Sequence, residues 1–371
     1  MAAHAATHDQ LFDSDLRALR ASVDLRKGAL VVAAVAAVGA ALVVALPGAY
    51  GAVSAAFAKL GHADPRWLVL ALGLEALSFL GHIVLFRAVF LDRSSRIGYA
   101  ASYDITLAGH AATRLFGAAG AGGIALQVWA LRRSGMPGRT VGTRMLGFLV
   151  LLYSFYALAV AAVGLGLWTG VLAGGGSIGL TLFPGIAALA LVAGALGAAA
   201  LARRMPGRLA QAGAAVGDGV REATAVIRRR DPRLVGGLMW WAFDIAVLWA
   251  SFRAFGAAPP LAILVLGYFL GLVGNALPFL GSVGGVDGGM IGALVALGTN
   301  PAAAVVAVVV YRLFSCWAPT VPGGFAFASL RRRVASWKAD DESPEDELAA
   351  ARQRRHERVA EPVLVAEPVA A

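Results

Sequence analysis

The chain has 371 residues, 59% of them hydrophobic and 15% charged, with a formal net charge of +10. Its mean hydropathy is +0.72, and several apolar runs reach the roughly 18–20 residues that cross a bilayer, so it reads as an all-α, polytopic helical membrane protein. A single cysteine, Cys316, excludes an internal disulfide or thiolate cluster; the scattered histidines have no metal-ligand spacing and no glycine motif fits a P-loop or dinucleotide fingerprint, so neither metal nor cofactor is expected.

In chain order, residues 1–28 are polar but carry Leu11, Phe12, Leu16, Leu19 and Val23 at helical spacing. They are expected to form a cytoplasmic amphipathic helix on the membrane surface. Ala29–Pro47 is the first span, too late and too long for an ordinary signal peptide. Trp67–Phe90 follows, then a segment over 100–131 broken at "RLFGAAGAGG", then spans Leu146–Trp168 and Ile178–Ala202. Segment 203–233 is arginine-rich, with Leu209, Ala212, Val216, Val220, Ala223 and Ile227 in one stripe. It is either a basic interfacial helix or a solvated linker. Leu234–Phe252 is another span, 261–300 is broken at "LPFLGSVGG", and Ala303–Leu330 is the last. The membrane domain thus covers 29–333, and 334–371 is expected to be a disordered cytoplasmic tail.

Lys and Arg set the orientation. Arg17, Arg20, Arg26 and Lys27 place the N-terminus inside; Arg93, Arg96, Arg132, Arg133, Arg139 and Arg331–Arg333 mark other inside loops. Lys59 and Arg66 fall outside, a mild conflict that the N-terminal cluster outweighs. Both ends of 100–131 then lie inside and both ends of 261–300 outside. The expected architecture is about six full spans plus two re-entrant helical hairpins entering from opposite faces, as in an inverted repeat. The alternative is that each broken segment is a pair of short full spans. Basic residues flank the apolar runs, so the charge points to membrane orientation and anionic lipid rather than nucleic acid.

A charge in the bilayer centre costs roughly 2.5–3.5 kcal/mol even on insertion scales, so each one in an apolar run needs a reason. Arg114 stands before the first break, where it either binds a lipid phosphate, helped by backbone donors around Gly120, Gly122 and Gly123, or pairs with an internal acid. Asn275, Gly284 and Gly285 flank the second break as further headgroup candidates. Asp287 and Arg312 serve as gating or charge-coupling residues or neutralise each other; Glu75 and Asp244, near mid-span, join helices or take part in that coupling. Arg144 is expected at headgroups, and Asp104 at a helix cap.

The stretches "GHAATRLFGAAGAGGIALQVWALRRSGM" (109–136), "GNALPFLGSVGGVDGGMIGALVALG" (274–298) and "VVYRLFSCWAPTVPGG" (309–324) resemble the lysylphosphatidylglycerol synthase transmembrane region. This is a flippase-like family that includes the membrane half of multiple peptide resistance factors. The family's second motif usually reads Pro-x-Pro-Gly-Gly-x-Gly-x-x-Glu. Here Pro278 and Gly284 fit, Leu280 replaces the second Pro, Gly281 and Ser282 stand at the Gly pair, and Asp287 stands at the Glu. The chain after the last span is too short for the soluble aminoacyl-transferase domain of the full synthases. The resemblance therefore implies lipid translocation and no enzyme activity. The expectation is a bacterial inner-membrane protein, both termini cytoplasmic, that moves a phospholipid or a polyprenyl-phosphate-linked lipid through a polar cavity. The competing readings are a non-catalytic scaffold and, behind it, a lipid-modifying membrane enzyme. The oligomeric state is left open.

Overall fold

A computed structural model describes residues 61–91, 95–116, 121–201, 207–273 and 285–337. The expected surface helix of 1–28, the span Ala29–Pro47 and the tail from 338 onward lie outside them. Ten helices organise the described residues. They are α1 (Pro65–Phe90), α2 (Tyr99–Phe116), α3 (Ala121–Arg133), α4 (Gly138–Trp168) and α5 (Ile178–Leu201). After them come α6 (Gly207–Arg228), α7 (Val235–Arg253), α8 (Leu261–Leu272), α9 (Gly285–Ala296) and α10 (Pro301–Trp337).

Five helices are long and apolar enough to cross a membrane: α1, α4, α5, α7 with its leading turn, and α10. These are the five sequence-derived spans that fall in the described region. Their outer faces carry exposed Leu72, Leu80, Leu158, Phe183, Leu191, Val321 and Phe325, a surface that suits lipid and not water. The last helix runs past the expected limit at 333 because Val334 and Trp337 turn inward and are buried.

Glycines let backbones touch where lipid supplies no hydrophobic drive for helix association. Helices α1 and α7 run antiparallel: Asp64 donates its N–H to the Ala254 carbonyl at 2.9 Å, and Ser78 Oγ donates to the Trp240 carbonyl at 2.9 Å. A Cβ on Gly236 would lie 2.4 Å from the Gly81 carbonyl oxygen. Helix α6 packs on α4 in the same way, through Gly147 and Gly219. The basic segment is therefore a docked helix and not a linker. Its buried face carries Gly213, Gly217, Gly219, Ala223 and Val226, while Ala212 and Ile227 of the expected stripe are exposed. Close approach to α4 selects small residues, and this rotates the packed face away from the bulky ones.

The two broken segments are antiparallel helical hairpins. In the first, α2 and α3 meet where a Cβ on Gly123 would sit 2.4 Å from the Gly109 carbonyl oxygen. In the second, a Cβ on Gly271 would lie 2.6 Å from Met290 Cβ, and one on Gly267 2.6 Å from Leu294 Cδ2. Arms of 12 residues in α8 and α9 reach about 18 Å, and 13 residues in α3 reach about 20 Å. The apolar core of a bilayer is about 30 Å thick; the 18 residues of α2 reach about 27 Å, and the described parts of the other three arms are shorter than a crossing.

Helix α10 shows that the hairpins are opposed. Toward its C-terminal end, Ser329 Oγ and Arg333 Nε each donate to Asp104 of α2 at 2.8 Å. Further back, a Cβ on Gly323 would touch Ala111 and the Leu107 carbonyl. The first hairpin thus runs along α10 from its C-terminal end inward. The second lies against the N-terminal half and reaches Arg312 through Asp287. The Phe116 end of α2 and the Gly285 end of α9 thus lie toward the same stretch of α10.

The ends of the bundle differ in charge. At one end stand Arg96, Arg132, Arg133, Arg139, Arg233 and Arg331–Arg333. There Arg87 donates to Ser102 Oγ at 2.8 Å and lies 3.7 Å from the Tyr99 ring centroid. Arg144 donates to the Phe90 carbonyl at 2.6 Å, which caps the C-terminus of α1 instead of reaching for headgroups. Among the described residues, the other end holds only Arg66 and Arg253, the latter over the Trp67 ring. Asp104, expected at a cap, instead ties α2 to α10.

Candidate functional site

The stretch of α10 that both hairpins approach is irregular. Leu313–Trp317 forms a π turn inside the helix. Its cause is two residues further on: Pro319 has no N–H for the Ser315 carbonyl, and its ring crowds that carbonyl. The helix widens by one residue to avoid the clash. Such turns are frequent at functional sites because they re-aim the side chains beside them.

Arg312 is the residue immediately before the π turn. Its Nε lies 2.5 Å from Asp287 Oδ1, with 9% and 25% of the two side chains exposed. Asp287 sits in the first turn of α9, where the helix dipole also favours a carboxylate. One residue before Arg312, the Tyr311 hydroxyl donates to Asp244 Oδ2 at 3.1 Å. The Tyr268 hydroxyl of α8 donates to the same oxygen. Asp244 is buried at the midpoint of α7. Glu75 of α1 is buried at the same level, within electrostatic reach of Tyr311 together with Arg312. Glu75, Asp244, Asp287 and Arg312, far apart in sequence, therefore converge on one polar cluster beside the π turn.

Toward the basic end, the cluster is flanked by aromatic rings. Trp240 lies between His82 and His110, with ring centroids 4.5 Å and 6.3 Å away. Phe79 packs edge-on to His110 at 4.8 Å. His82 and His110 are each half-buried in this layer, one on α1 and one on the first hairpin.

The remaining sequence-derived site residues fall around the hairpin ends. Arg114 lies in the last turn of α2, and its side chain lies outside the described part of the structure. Gly120, Asn275 and Gly284 also lie outside the described residues. Gly122 is half-buried in the first turn of α3. Gly123 is buried, with Thr113 Oγ1 and the Gly109 carbonyl filling the space where a side chain would go, so it serves arm-to-arm packing. Gly285 opens α9 two residues before Asp287.

Sequence reasoning missed Tyr268 and Tyr311. Each lies in a run of Val, Leu and Phe, where a tyrosine passes for an ordinary apolar residue. The available signal was the hydroxyl itself, which needs a partner when buried. The π turn was also missed, although Pro319 and Pro322 inside the last span announced an irregular helix.

Chemically, the cluster combines three carboxylates, one guanidinium and two phenols on five helices. It can hold a polar group away from water, exchange ion-pair partners and move protons among oxygen atoms.

Comparison with known proteins agrees with this architecture. The family described as the lysylphosphatidylglycerol synthase TM region matches residues 30–323, most of the chain. A UPF0104 membrane protein of Methanothermobacter thermautotrophicus is 33% identical over 97 residues. That match spans 26% of this chain and 28% of the relative's length. The chain belongs to the lysylphosphatidylglycerol synthase TM region family and is a multi-pass membrane protein.

Proposed function

We propose that this member of the family is a lipid carrier and not an enzyme. It moves a phospholipid, or another lipid with a phosphate-bearing headgroup such as a polyprenyl-phosphate-linked lipid, between leaflets. The headgroup crosses between the closed ends of the two hairpins while the acyl chains stay in lipid. Arg114 and backbone donors near the hairpin ends hold the phosphate, and the Asp287–Arg312 pair opens to admit it. The basic end faces the cytoplasm of a bacterial cell, as the excess of arginine there favours. The observation that carries this reading is the convergence of two opposed hairpins on one stretch of α10. An ion pair and a π turn stand at that place in a bundle of apolar spans.

The test is reconstitution of the full chain into vesicles of phosphatidylethanolamine and phosphatidylglycerol carrying fluorescent phosphatidylglycerol. Its exposure in the outer leaflet is followed by chemical quenching. The wild type is expected to equilibrate the label well above the rate of protein-free vesicles. Arg114→Gln and Arg312→Gln each remove a charge-assisted hydrogen bond of about 1.5–3 kcal/mol, which slows movement roughly 10- to 100-fold. Wild-type movement no faster than that in empty vesicles, for this lipid and for a polyprenyl phosphate, overturns the carrier reading.

A further inference from the structure

We propose that the corner between α6 and α7 is a docking site for an anionic phospholipid of the leaflet at the basic end, separate from the passage between the hairpins. The proposal does not rest on the carrier reading.

The first ground is charge. Residues 227–235 read "IRRRDPRLV", four arginines against one aspartate, an excess of three positive charges. Asp231 is already engaged, because Arg233 donates to both of its carboxylate oxygens, at 3.0 Å and 2.6 Å. Arg228, Arg229 and Arg230 are exposed, and no carboxylate among the described residues forms an ion pair with them. Other arginines at this end are used by the fold: Arg87 holds Ser102, Arg144 holds the Phe90 carbonyl and Arg333 holds Asp104.

The second ground is the backbone. Arg230 follows the C-terminus of α6 with φ at 51°, and its N–H donates to the Ile227 carbonyl at 2.9 Å. Glycine is the usual residue at a left-handed position after a helix, because a Cβ is unfavourable there. Among the described residues, five glycines take a positive φ, and Arg230 is the one other residue that does. The corner bears that cost and keeps a guanidinium where glycine would fit better.

The third ground is depth. Ser78 bonds to Trp240, and a Cβ on Gly236 would lie 2.4 Å from the Gly81 carbonyl oxygen and 2.6 Å from the Leu85 nitrogen. This antiparallel register sets Arg87 beside the turn that precedes α7, and the turn packs against α1. Arg87 lies 3.7 Å from the Tyr99 ring centroid, and Tyr99 is 74% exposed. Exposed tyrosines favour the headgroup level. From that level Val235, Leu238 and Ala242 run down one exposed face of α7. Ile227, Val235 and Leu238 are each more than half exposed. Arginines at headgroup level above an apolar stripe match a phosphodiester and its acyl chains.

The experiment uses the full chain with Ala242→Cys in a Cys316→Ala background, carrying a bimane at residue 242, in phosphatidylcholine vesicles. Brominated phosphatidylglycerol or brominated phosphatidylcholine is added at low mole fraction. The quenching gives the relative binding constant of the two lipids at that face. Phosphatidylglycerol is expected to be preferred, by about fivefold for each arginine that engages it. Arg230→Gly should cut the preference about fivefold and at the same time raise the unfolding midpoint in detergent, since glycine relieves the backbone. Arg228→Gln/Arg229→Gln/Arg230→Gly should abolish the preference. Arg331→Gln/Arg332→Gln removes charge from two exposed residues of the same end and should leave the preference unchanged. Should the triple variant fail to fold, Arg230→Gly carries the test. Equal quenching by the two lipids in the wild type, or a preference that survives loss of the corner arginines, overturns the proposal. An equal loss in Arg331→Gln/Arg332→Gln makes the effect one of diffuse charge and overturns the site. A lower unfolding midpoint in Arg230→Gly makes the arginine a structural cap and overturns it too. Relief of the quenching by inorganic phosphate at constant ionic strength replaces the lipid with a soluble anion and overturns the assigned occupant.

Discussion

At the scale of single residues, the fold places charge at depth and then surrounds it. Arg312 and Asp287 form an ion pair with 9% and 25% exposure. Removing one partner of a buried pair takes that counter-charge from the other and costs about 3–5 kcal/mol, whereas removing both takes out one charge of each sign together. Thermal unfolding in detergent should therefore show Arg312→Gln and Asp287→Asn each strongly destabilised, and the double variant more stable than either; additive losses would deny the pairing. At the membrane edge, Asp231 accepts hydrogen bonds from the backbone and side chain of Arg233 and so caps the turn that leads into α7. The Arg233 hydrogen bond holds the Asp231 carboxyl below its usual range, against the opposing effect of partial burial. A depressed carboxyl stabilises the fold above its unfolded pKa and loses that contribution as pH falls through the lower folded value. Asp231→Asn should flatten the acid side of the stability profile, by about 1 kcal/mol or less for so exposed a pair. The charged members of the central cluster were legible in the sequence because a carboxylate in an apolar run has no other place to be. Their pairing was legible only as one alternative, since Asp287 and Arg312 could equally serve in gating, and the docking of α9 against α10 brings the two together.

At the scale of elements, glycine contacts decide which helices approach and how closely. Gly236 and Gly73 make a matched comparison. A Cβ on Gly236 would fall 2.4 Å from the Gly81 carbonyl oxygen, while one on Gly73 meets nothing within 4 Å. Gly236→Ala should force α1 and α7 apart and cost about 1–3 kcal/mol, as overpacking does. Gly73→Ala lies in a helix interior with room to spare and should stabilise by up to about 1 kcal/mol. Melting curves of the two variants check this, and equal shifts would refute the packing assignment. The spans themselves were readable from length and hydropathy alone. The face of α6 was legible only in part: Ala223 of the expected stripe is buried, but Gly217 and Gly219 carry the rest of the contact by their smallness while Ala212 and Ile227 are exposed. The two breaks were visible as glycine clusters, but glycine has two uses here. Gly109, Gly123, Gly267 and Gly271 close the arms of the hairpins against each other, and composition cannot separate that from exposed backbone that meets a ligand.

At the scale of the whole molecule, orientation and architecture constrain each other. The charge rule required both ends of the first broken segment on one side and both ends of the second on the other. The structure meets this with contacts inside the bundle itself. The outer end of the first hairpin is tied to Ser329 and Arg333. The outer end of the second lies beside the 169–177 loop, where a Cβ on Gly174 would reach Ile263 and one on Gly176 would reach Leu297. These anchors are at opposite ends of α10, so the hairpins cannot share a face whatever the membrane does. Cysteine accessibility in intact cells tests this directly. The native Cys316 is buried, so single cysteines are introduced in a Cys316→Ala background. Gly98→Cys and Ser134→Cys should react only when the inner face is opened to a membrane-impermeant reagent. Ala257→Cys and Thr299→Cys should react in intact cells, because their positions flank the second hairpin at the arginine-poor end. Labelling of residues 98 and 134 from different sides would make α2 and α3 together a single crossing, and with it remove the opposed hairpins on which the polar passage depends. Labelling of all four from one side would equally break the link between the basic end and the cytoplasm. The two arms of the second hairpin run antiparallel, with Gly267 against Leu294 and Gly271 against Met290, so residues 257 and 299 stand at the same end of the pair and must label from the same side.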